Sequence, residues 1–575
     1  MRSMRLIDVN EFLQREWVIR AGMQIERQTK VLDFRDDEIT EYTILSHRWI
    51  DDTEINYEEI ASLGNMEKEE RDEIRGRLGY KKILDTCRQV QKNGYKWVWV
   101  DTCCIDKRSS AELSEAINLM YRWYKNAKAC YAYLHDIDGS FPTEKDDEKY
   151  PKSNGWPEWF SRGWTLQEMI APSDVWFFNE NWQYVGAKTT LWSTLTRITG
   201  VLMHILIDGL DANRPCVAQI MSWAANQTTT RVEDRAYSLM GLLNVNMPML
   251  YGEGRKAFHR LQLEIIHSSD NQSIFAWGYG SEDVRIGSIL ADDPSFFRSC
   301  SSMRLVDNDE FIQRSKKTFP ELVSMDTDNG VFLVTNRGIQ IWMLLHLYPE
   351  SKSVFQAYLL CRDDGPLVSI NVALWNSNYY RYPNLQEVDF GDPPEVLQVY
   401  LRYQNIANHT ITFEIDDSGL TENGFTYSNE DLEEHTGSTF MLTDANPFCL
   451  RIYSEVQGNC HFKVVFGHCL GRDWVHLEDF TLGTTARINS EAPIARGPDW
   501  APFISDVNRF CNRMWVRHFR LLGTPWVVQT SRVVWERSKI GVWLEVFRDP
   551  DLQNGPDEWK ALFVEVSNFL VHINY

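Results

Sequence analysis

The stretch GYKWVWVDTCCIDKRSSAELSEAINLMYRWYKNAKACYAYLHD, residues 94–136, decides the fold of the N-terminal half. Its two ends, YKWVWVD (95–101) and ACYAYLHD (129–136), are apolar runs typical of strands buried on both faces. Between them, Ser109 and Glu112 have the spacing of a capping box, which marks the start of a helix. Apolar residues then recur at helical spacing, at Leu113, Ile117, Met120, Tyr124 and Ala127. The stretch therefore predicts a strand, a helix and a second strand.

The segments on either side continue this alternation. YTILSH (42–47) and DVWFFN (174–179) are further strand candidates, and residues 81–93 and 162–172 are helix candidates. Four apolar strands alternating with three helices predict an α/β fold with a parallel sheet covered on both sides.

The chain divides into two predicted domains. We expect an N-terminal domain at 1–280, with an α/β core at about 40–180 and helices at about 190–267. After residue 280 the pattern changes to short strands separated by turn residues, which predicts a β-rich domain at 281–575.

A short repeat links the two parts. SMRLIDVNEFLQR (3–15) and SMRLVDNDEFIQR (302–314) agree at nine of thirteen positions. We interpret the match as chance similarity between two amphipathic segments. The alternative hypothesis is that the second copy occupies a groove that the first would fill in another protomer.

The composition restricts the function classes. The chain has 575 residues, with 59 Lys and Arg against 81 Asp and Glu, a net charge of −22. So acidic a surface disfavours binding to nucleic acid. We expect no membrane span, because no apolar run is long enough, and no signal peptide. Eleven cysteines without a CxxC pair predict reduced thiols and a cytoplasmic protein.

Polar residues at the predicted strand ends are the first candidates for a functional site. Ligands of parallel sheets bind beyond the carboxyl ends of the strands. Ser46, His47 and Arg48 end the first strand, and Asp101 ends the second. A hydroxyl, an imidazole and a guanidinium together suit a phosphate or a ribose. The alternative is that they cap the next helix or pair with local acids.

Glu168 is the second candidate, in a predicted helix that places Trp164 four residues earlier on the same face. A carboxyl group beside an indole is partly desolvated, which raises its pKa and suits acid–base or cation-stabilising chemistry. The alternative is an ordinary exposed glutamate.

Two further arrangements are weaker. Cys103 or Cys104 with His47 or His135 would suit a nucleophilic hydrolase, although buried structural thiols are more common. The pairs Cys460-His461 and His468-Cys469 resemble a metal quartet, but neighbouring residues of a strand point to opposite faces. We therefore predict a strand there and no metal site. P-loop, GxGxxG, HExxH and GxSxG signatures are absent from the sequence.

The assembled motifs resemble the fungal heterokaryon incompatibility (HET) domain over residues 1–277. The resemblance is carried by YTILSHRW (42–49), by residues 94–136, by WFSRGWTLQEMIAP (159–172) and by the continuation at 221–266. It implies a role in non-self recognition and programmed cell death when genetically different hyphae fuse.

The HET core in turn shows a remote resemblance to Toll/interleukin-receptor (TIR) domains, which have a flavodoxin-like parallel sheet. Some TIR domains cleave the glycosidic bond of NAD with a glutamate in a W-C-x-x-E-L helix. SRGWTLQEMI is similar, with Trp164 four residues before Glu168, although Thr165 stands where those sequences often have Cys.

This resemblance implies that Glu168 is the catalytic carboxylate and that NAD is the substrate rather than a bound cofactor. Arg48 would hold the pyrophosphate, and Trp49 or Trp164 would stack on a base. The predicted substrate-binding residues are Ser46, His47, Arg48, Trp49, Asp101 and Trp164. The alternative is a signalling module without enzymatic activity, which acts through protein partners or self-association.

Overall fold

A computed structural model describes most of the N-terminal half and the strands of the C-terminal half. It covers residues 3–23, 30–50, 52–212, 214–281, 284, 287–321, 331–349, 353–375, 377–384, 390, 392–404, 411–428, 439–442, 448–456, 461–469, 472–479, 518–520, 526–536 and 539–548.

The N-terminal sheet has seven strands in the order β2-β1-β4-β3-β5-β6-β7. Their bounds are β1 Ser3–Asp8, β2 Leu32–Asp36, β3 Tyr42–His47, β4 Trp97–Trp99, β5 Cys130–Tyr133, β6 Val175–Phe178 and β7 Tyr184–Ala187. The four central strands β4-β3-β5-β6 are parallel, as the sequence predicted. The outer strands β2 and β7 and the strand β1 next to β2 pair antiparallel and were not predicted.

Twelve helices connect or follow these strands in the described N-terminal residues. Six lie within the α/β part: α1 Val9–Arg20, α2 Tyr57–Ser62, α3 Lys68–Gly76, α4 Leu78–Lys92, α5 Ser110–Asn126 and α6 Thr165–Ile170. Six more follow the sheet: α7 Lys188–Thr199, α8 Met203–Asp208, α9 Val217–Trp223, α10 Asp234–Tyr237, α11 Met240–Leu243 and α12 Lys256–Ser268. Short 3-10 helices lie at Leu63–Asn65, Glu158–Ser161, Gln272–Phe275 and Pro294–Phe297.

The central strands are buried because both faces of the sheet are covered. Every residue of β3 and β4 is buried, which explains their continuous apolar sequences. The order of the parallel strands places β3 between β4 and β5, so the connection from β3 to β4 and the connection from β4 to β5 run in opposite directions along the sheet. That point, at the carboxyl ends of β3 and β5, is where a doubly wound sheet opens a crevice.

The remaining strands that the structure describes form three sheets. The first contains β8 Arg304–Leu305, β9 Leu333–Val334, β10 Ile339–Leu347, β11 Val354–Arg362, β12 Leu367–Trp375, β13 Asn378–Tyr382 and β14 Glu395–Leu401, with α13 at Asn308–Thr318. Because β10 pairs with both β14 and β11, five of these strands close into a barrel-like ring. The β-rich character of this part is thus as predicted.

The other two sheets lie further along the chain. One contains β15 Ile411–Asp416, β17 Thr439–Leu442, β21 His518–Arg520, β22 Trp526–Glu536 and β23 Lys539–Arg548. The other contains β16 Phe425–Ser428, β18 Phe448–Glu455, β19 His461–Cys469 and β20 Arg472–Asp479. Helix α14 lies at Ser418–Glu422. One hydrophobic cluster joins buried residues on both sides of the predicted boundary at 280/281, from Met4 to Leu401. The boundary itself stays a prediction.

Both copies of the short repeat fold as a strand, an aspartate cap and a helix. The Asp8 side chain accepts hydrogen bonds at the start of α1, and the Asp307 side chain does so at the start of α13. Their surroundings differ, since β1 lies between β2 and β4 whereas β8 pairs with β11 at a sheet edge. Exchange of the two copies between protomers stays a hypothesis.

Among the described residues, no helix combines the length and the apolar character that a bilayer crossing requires.

We predict that Gly241→Ala destabilises the packing of α11 on α5. A Cβ atom at residue 241 would lie 2.2 Å from the Cβ of Tyr121, so one of the two helices must shift. Overpacking of this kind costs about 1–3 kcal/mol of unfolding free energy. A lower thermal unfolding midpoint, measured by circular dichroism, is expected.

Gly76→Ala is the matched control, because a Cβ atom at that position meets nothing within 4 Å. Equal melting midpoints for the Gly241 variant and this control would contradict the close approach of α11 to α5.

Candidate functional site

Glu168 lies at the carboxyl end of β3, buried beneath the strand-end residues. Its Oε2 atom is 2.5 Å from the Oγ atom of Ser46, which donates to it. The same Oγ atom accepts a hydrogen bond of 2.8 Å from the indole N–H of Trp159. The Glu168 side chain is 5% exposed. The structure thus brings together Ser46 and Glu168, which are 122 positions apart in the sequence.

Burial dominates the acidity of this carboxyl group. Desolvation raises the pKa of Glu168 to about 8, and the negative charge of Asp101 acts in the same direction. The hydrogen bond from Ser46 and the positive charge of Arg162 oppose the rise without cancelling it. Glu168 is therefore mostly protonated at neutral pH, and it becomes a carboxylate when a nearby cation or a higher pH favours ionisation.

His47 and Asp101 lie in a second, charged group beside Glu168. The His47 Nε2 atom is 3.6 Å from Oε2 of Glu54 and 3.7 Å from Oδ1 of Asp101. Burial lowers the pKa of His47, and the charges of Asp101 and Glu54 oppose the fall. Lys82 forms an ion pair of 2.5 Å with Glu54.

Glu54 has the opposite character to Glu168. Burial raises the pKa of Glu54, but the contacts with His47 and Lys82 lower it by more. The resulting pKa of Glu54 is about 2. One carboxyl group of the site is therefore held charged and the other is held neutral, a separation that acid–base sites use.

Arg48 and Trp49 lie at the exposed rim of the site, and each already has partners. Arg48 forms an ion pair with Glu158, and its Nη1 atom is 3.5 Å from Nε2 of His135. Trp49 is 37% exposed and donates a hydrogen bond of 2.7 Å to Asp101. The ammonium group of Lys107 lies 3.5 Å from the centre of its ring. A ligand at this rim would exchange with these contacts.

Trp164 is the predicted residue that the structure does not join to the cluster. Trp164 instead contacts Asp234 at the start of α10. Desolvation raises the pKa of Asp234, and the contacts with Tyr251 and Trp164 oppose the rise. Within the described ranges, no hydrogen bond or ring contact connects Trp164 with Ser46 or Glu168. Its role in stacking stays a prediction.

Sequence reasoning did not assign several residues of the cluster. Glu54, Lys82, Glu158 and Arg162 carry no pattern that separates them from ordinary surface charges. Tyr124 was named only as one of the residues at helical spacing; it is fully buried, and its hydroxyl donates a hydrogen bond of 3.3 Å to the carbonyl of Leu45.

The cysteine and metal alternatives gain no support from the described residues. Cys103 and Cys104 are buried, and the contact with Cys104 together with desolvation raises the pKa of Cys103 well above its ordinary value. A protonated thiol is a weak nucleophile. No group of three or more His, Cys, Asp or Glu in the described part could hold a metal ion. Cys460 and the side chains of His468 and Cys469 lie outside that part.

We predict that Glu168→Gln changes how stability depends on pH. The carboxyl group ionises near 4.5 in the unfolded chain and near 8 in the folded chain. Its contribution to stability is full below pH 4.5 and is lost as the pH rises to 8, because only the unfolded state ionises in that window. Glutamine does not ionise, so the variant lacks this loss. Its free energy of unfolding, relative to that of the wild type, therefore rises by about 1.4 kcal/mol per pH unit in this window. Urea unfolding from pH 5 to 8 measures the difference.

Glu115→Gln serves as the control, since Glu115 is exposed on α5. Parallel pH curves for the wild type and Glu168→Gln would show that the folded-state pKa of Glu168 is not raised.

Comparisons with known proteins identify the N-terminal part. The family model of the heterokaryon incompatibility protein (HET) matches residues 42–154. The vegetative incompatibility protein HET-E-1 of Podospora anserina is 40% identical over 245 residues, which are 42% of this chain and 17% of that protein. The matched part therefore spans only a small share of that relative's length.

A solved structure also matched, the lectin XCL of Xerocomus chrysenteron. The match has 10% identity, covers 24% of this chain and 98% of the lectin, and has a TM-score of 0.17, so no conclusion is based on it. The family match and the identity to the Podospora protein agree with the motifs at strand β3 and at residues 94–136. Residues 42–154 match the heterokaryon incompatibility (HET) domain, as these motifs predicted.

Proposed function

We propose that this protein is an effector of heterokaryon incompatibility, which acts in the cytoplasm and leads to programmed cell death after non-self recognition. The HET domain at residues 42–154 and the incompatibility protein of Podospora anserina support this role. The presence of a site within the α/β domain supports an activity that is intrinsic to the chain.

The activity that the geometry supports best is cleavage of NAD to nicotinamide and ADP-ribose, with Glu168 as the catalytic residue. One observation carries this proposal: a buried carboxyl group with a pKa of about 8 lies against Ser46 at the crevice of a parallel sheet. The order of the parallel strands, with β3 inside, is the one that flavodoxin-like sheets share. This supports a TIR-like assignment of the core.

The reaction needs a negative charge more than it needs an acid. Water adds to the anomeric carbon of the ribose while the C–N bond to the pyridinium breaks. The electron pair of that bond goes to the ring nitrogen, so nicotinamide leaves neutral, and the water proton passes to solvent. A carboxylate beside the ribose stabilises the oxocarbenium-like transition state. The cationic pyridinium itself favours ionisation of Glu168 when it binds.

A second candidate is an assembly module without enzymatic activity. The observation that favours it is the low exposure of Glu168, since Ser46 and Trp159 cover the carboxyl group. In that case the buried carboxyl group is a structural element, and the chain acts through protein partners or self-association.

We predict that the purified chain releases nicotinamide from NAD and that Glu168→Gln lowers kcat/KM at least about a hundredfold, the usual order for loss of a catalytic carboxylate. Because the ionised form is active, kcat/KM for the wild type rises with pH, is half-maximal near pH 8 and levels off above that value. Nicotinamide release from pH 6 to 9, followed by chromatography, tests both statements, with Glu115→Gln as the control.

The same variants are expressed in a fungal host, and cell death and total NAD are followed together. Cell death by Glu168→Gln at the wild-type level, with NAD unchanged, would exclude the glycohydrolase and leave the assembly module.

A further inference from the structure

A large cleft lies next to the site on the other side of the 3-10 turn Glu158–Ser161. Trp159 of this turn contacts Ser46, whereas Phe160 and Ser161 line the cleft. The cleft has a volume of ≈ 1020 Å³, which is enough for a ligand the size of a nucleotide. Its other walls come from the loop at 144–156, the end of α7, the end of α9 and residues 298–301.

The rim of this cleft carries two arginines that are not neutralised. The guanidinium of Arg197 donates to the carbonyl of Thr143, and that of Arg298 donates to the side-chain oxygen of Asn226. Neither forms an ion pair with a carboxylate among the described residues, whereas arginines elsewhere in this acidic chain commonly do. Lys145 also lines the cleft but is ion-paired with Asp147, and Glu144 is the one acidic residue among the described lining residues, against the two arginines. The cleft is therefore locally positive in a chain of net charge −22.

The inner wall supplies aromatic surface and two unsatisfied polar atoms. Trp156, Phe160 and Trp223 are lining residues that are almost fully buried. The Nε1 atom of Trp223 and the Oε1 atom of Gln227 are buried without a hydrogen-bond partner in the part of the chain that the structure describes. One is a donor and the other an acceptor, four residues apart on one turn. A purine edge offers the complementary pair, a ring acceptor beside an amino donor.

From this arrangement we infer that the cleft is a binding site for a nucleoside diphosphate. The base lies against the aromatic wall and pairs with Trp223 and Gln227. The two phosphates reach the guanidinium groups of Arg197 and Arg298, which suit phosphate oxygens because of their planar donor geometry. The site contains neither Glu168 nor Arg48, so it does not depend on the proposed cleavage of NAD.

The test is isothermal titration of the full chain with ADP, pyrophosphate and adenosine. ADP is expected to bind more tightly than either fragment. The double variant Arg197→Ala/Arg298→Ala is expected to lower the affinity for ADP and for pyrophosphate at least about tenfold, because it removes charge-assisted hydrogen bonds. Trp223→Phe keeps an aromatic ring and removes the N–H group. It is therefore expected to lower the affinity for ADP severalfold and to leave the affinity for pyrophosphate unchanged.

Two control variants separate this site from other sources of binding. Arg88→Ala removes an exposed arginine that pairs with Asp85, and it leaves ADP binding unchanged. Arg48→Ala alters the rim of the Glu168 site and also leaves ADP binding unchanged. The inference is overturned if ADP does not bind at millimolar concentration, if the double variant binds it as the wild type does, or if Arg48→Ala abolishes the binding.

Discussion

The burial of the central parallel strands on both faces is the constraint on which the rest of the N-terminal domain depends. No residue of β3 is exposed, so polar groups are disfavoured along most of its length. They are concentrated where the strand ends, at Ser46 and His47. The helices that cover the sheet then bring Glu168 and Lys82 to the same end. The site is thus a direct result of how the sheet is covered.

The electrostatics of the site follow from the same burial. Glu54 and Glu168 are both carboxyl groups near the end of β3, yet their pKa values lie at about 2 and about 8. The difference arises because Lys82 and His47 contact Glu54, whereas the near partners of Glu168 are the uncharged hydroxyl groups of Ser46 and Tyr124. A neutral acid and a charged one therefore coexist within one buried group.

Sequence patterns predicted the central elements because these strands and helices have strong periodicity. The apolar runs that became β3, β4, β5 and β6 lie within one or two residues of the predicted bounds at most ends. The edge strands were missed, since β2 is only partly buried and its residues show no simple alternation. A short strand of that kind is defined by its neighbour in the sheet more than by its own sequence.

The candidate site was predictable in position and not in detail. Topology placed Ser46, His47 and Asp101 together, because the carboxyl ends of parallel strands share one edge. Helical spacing placed Trp164 near Glu168, but the structure directs this indole towards Asp234, seventy positions along the chain. The charged partners Glu54 and Lys82 come from segments whose approach only the tertiary packing determines.

The short turn Glu158–Ser161 has a thermodynamic consequence. It holds Arg48 through Glu158 and Ser46 through Trp159, and Ser46 in turn covers Glu168. Any state in which the turn moves away lets water reach the carboxyl group, and its affinity for a proton falls. Opening of the turn and release of one proton are therefore linked, and by reciprocity each favours the other. A tightly covered carboxyl group in this position makes the closed state of the domain sensitive to the proton concentration around it.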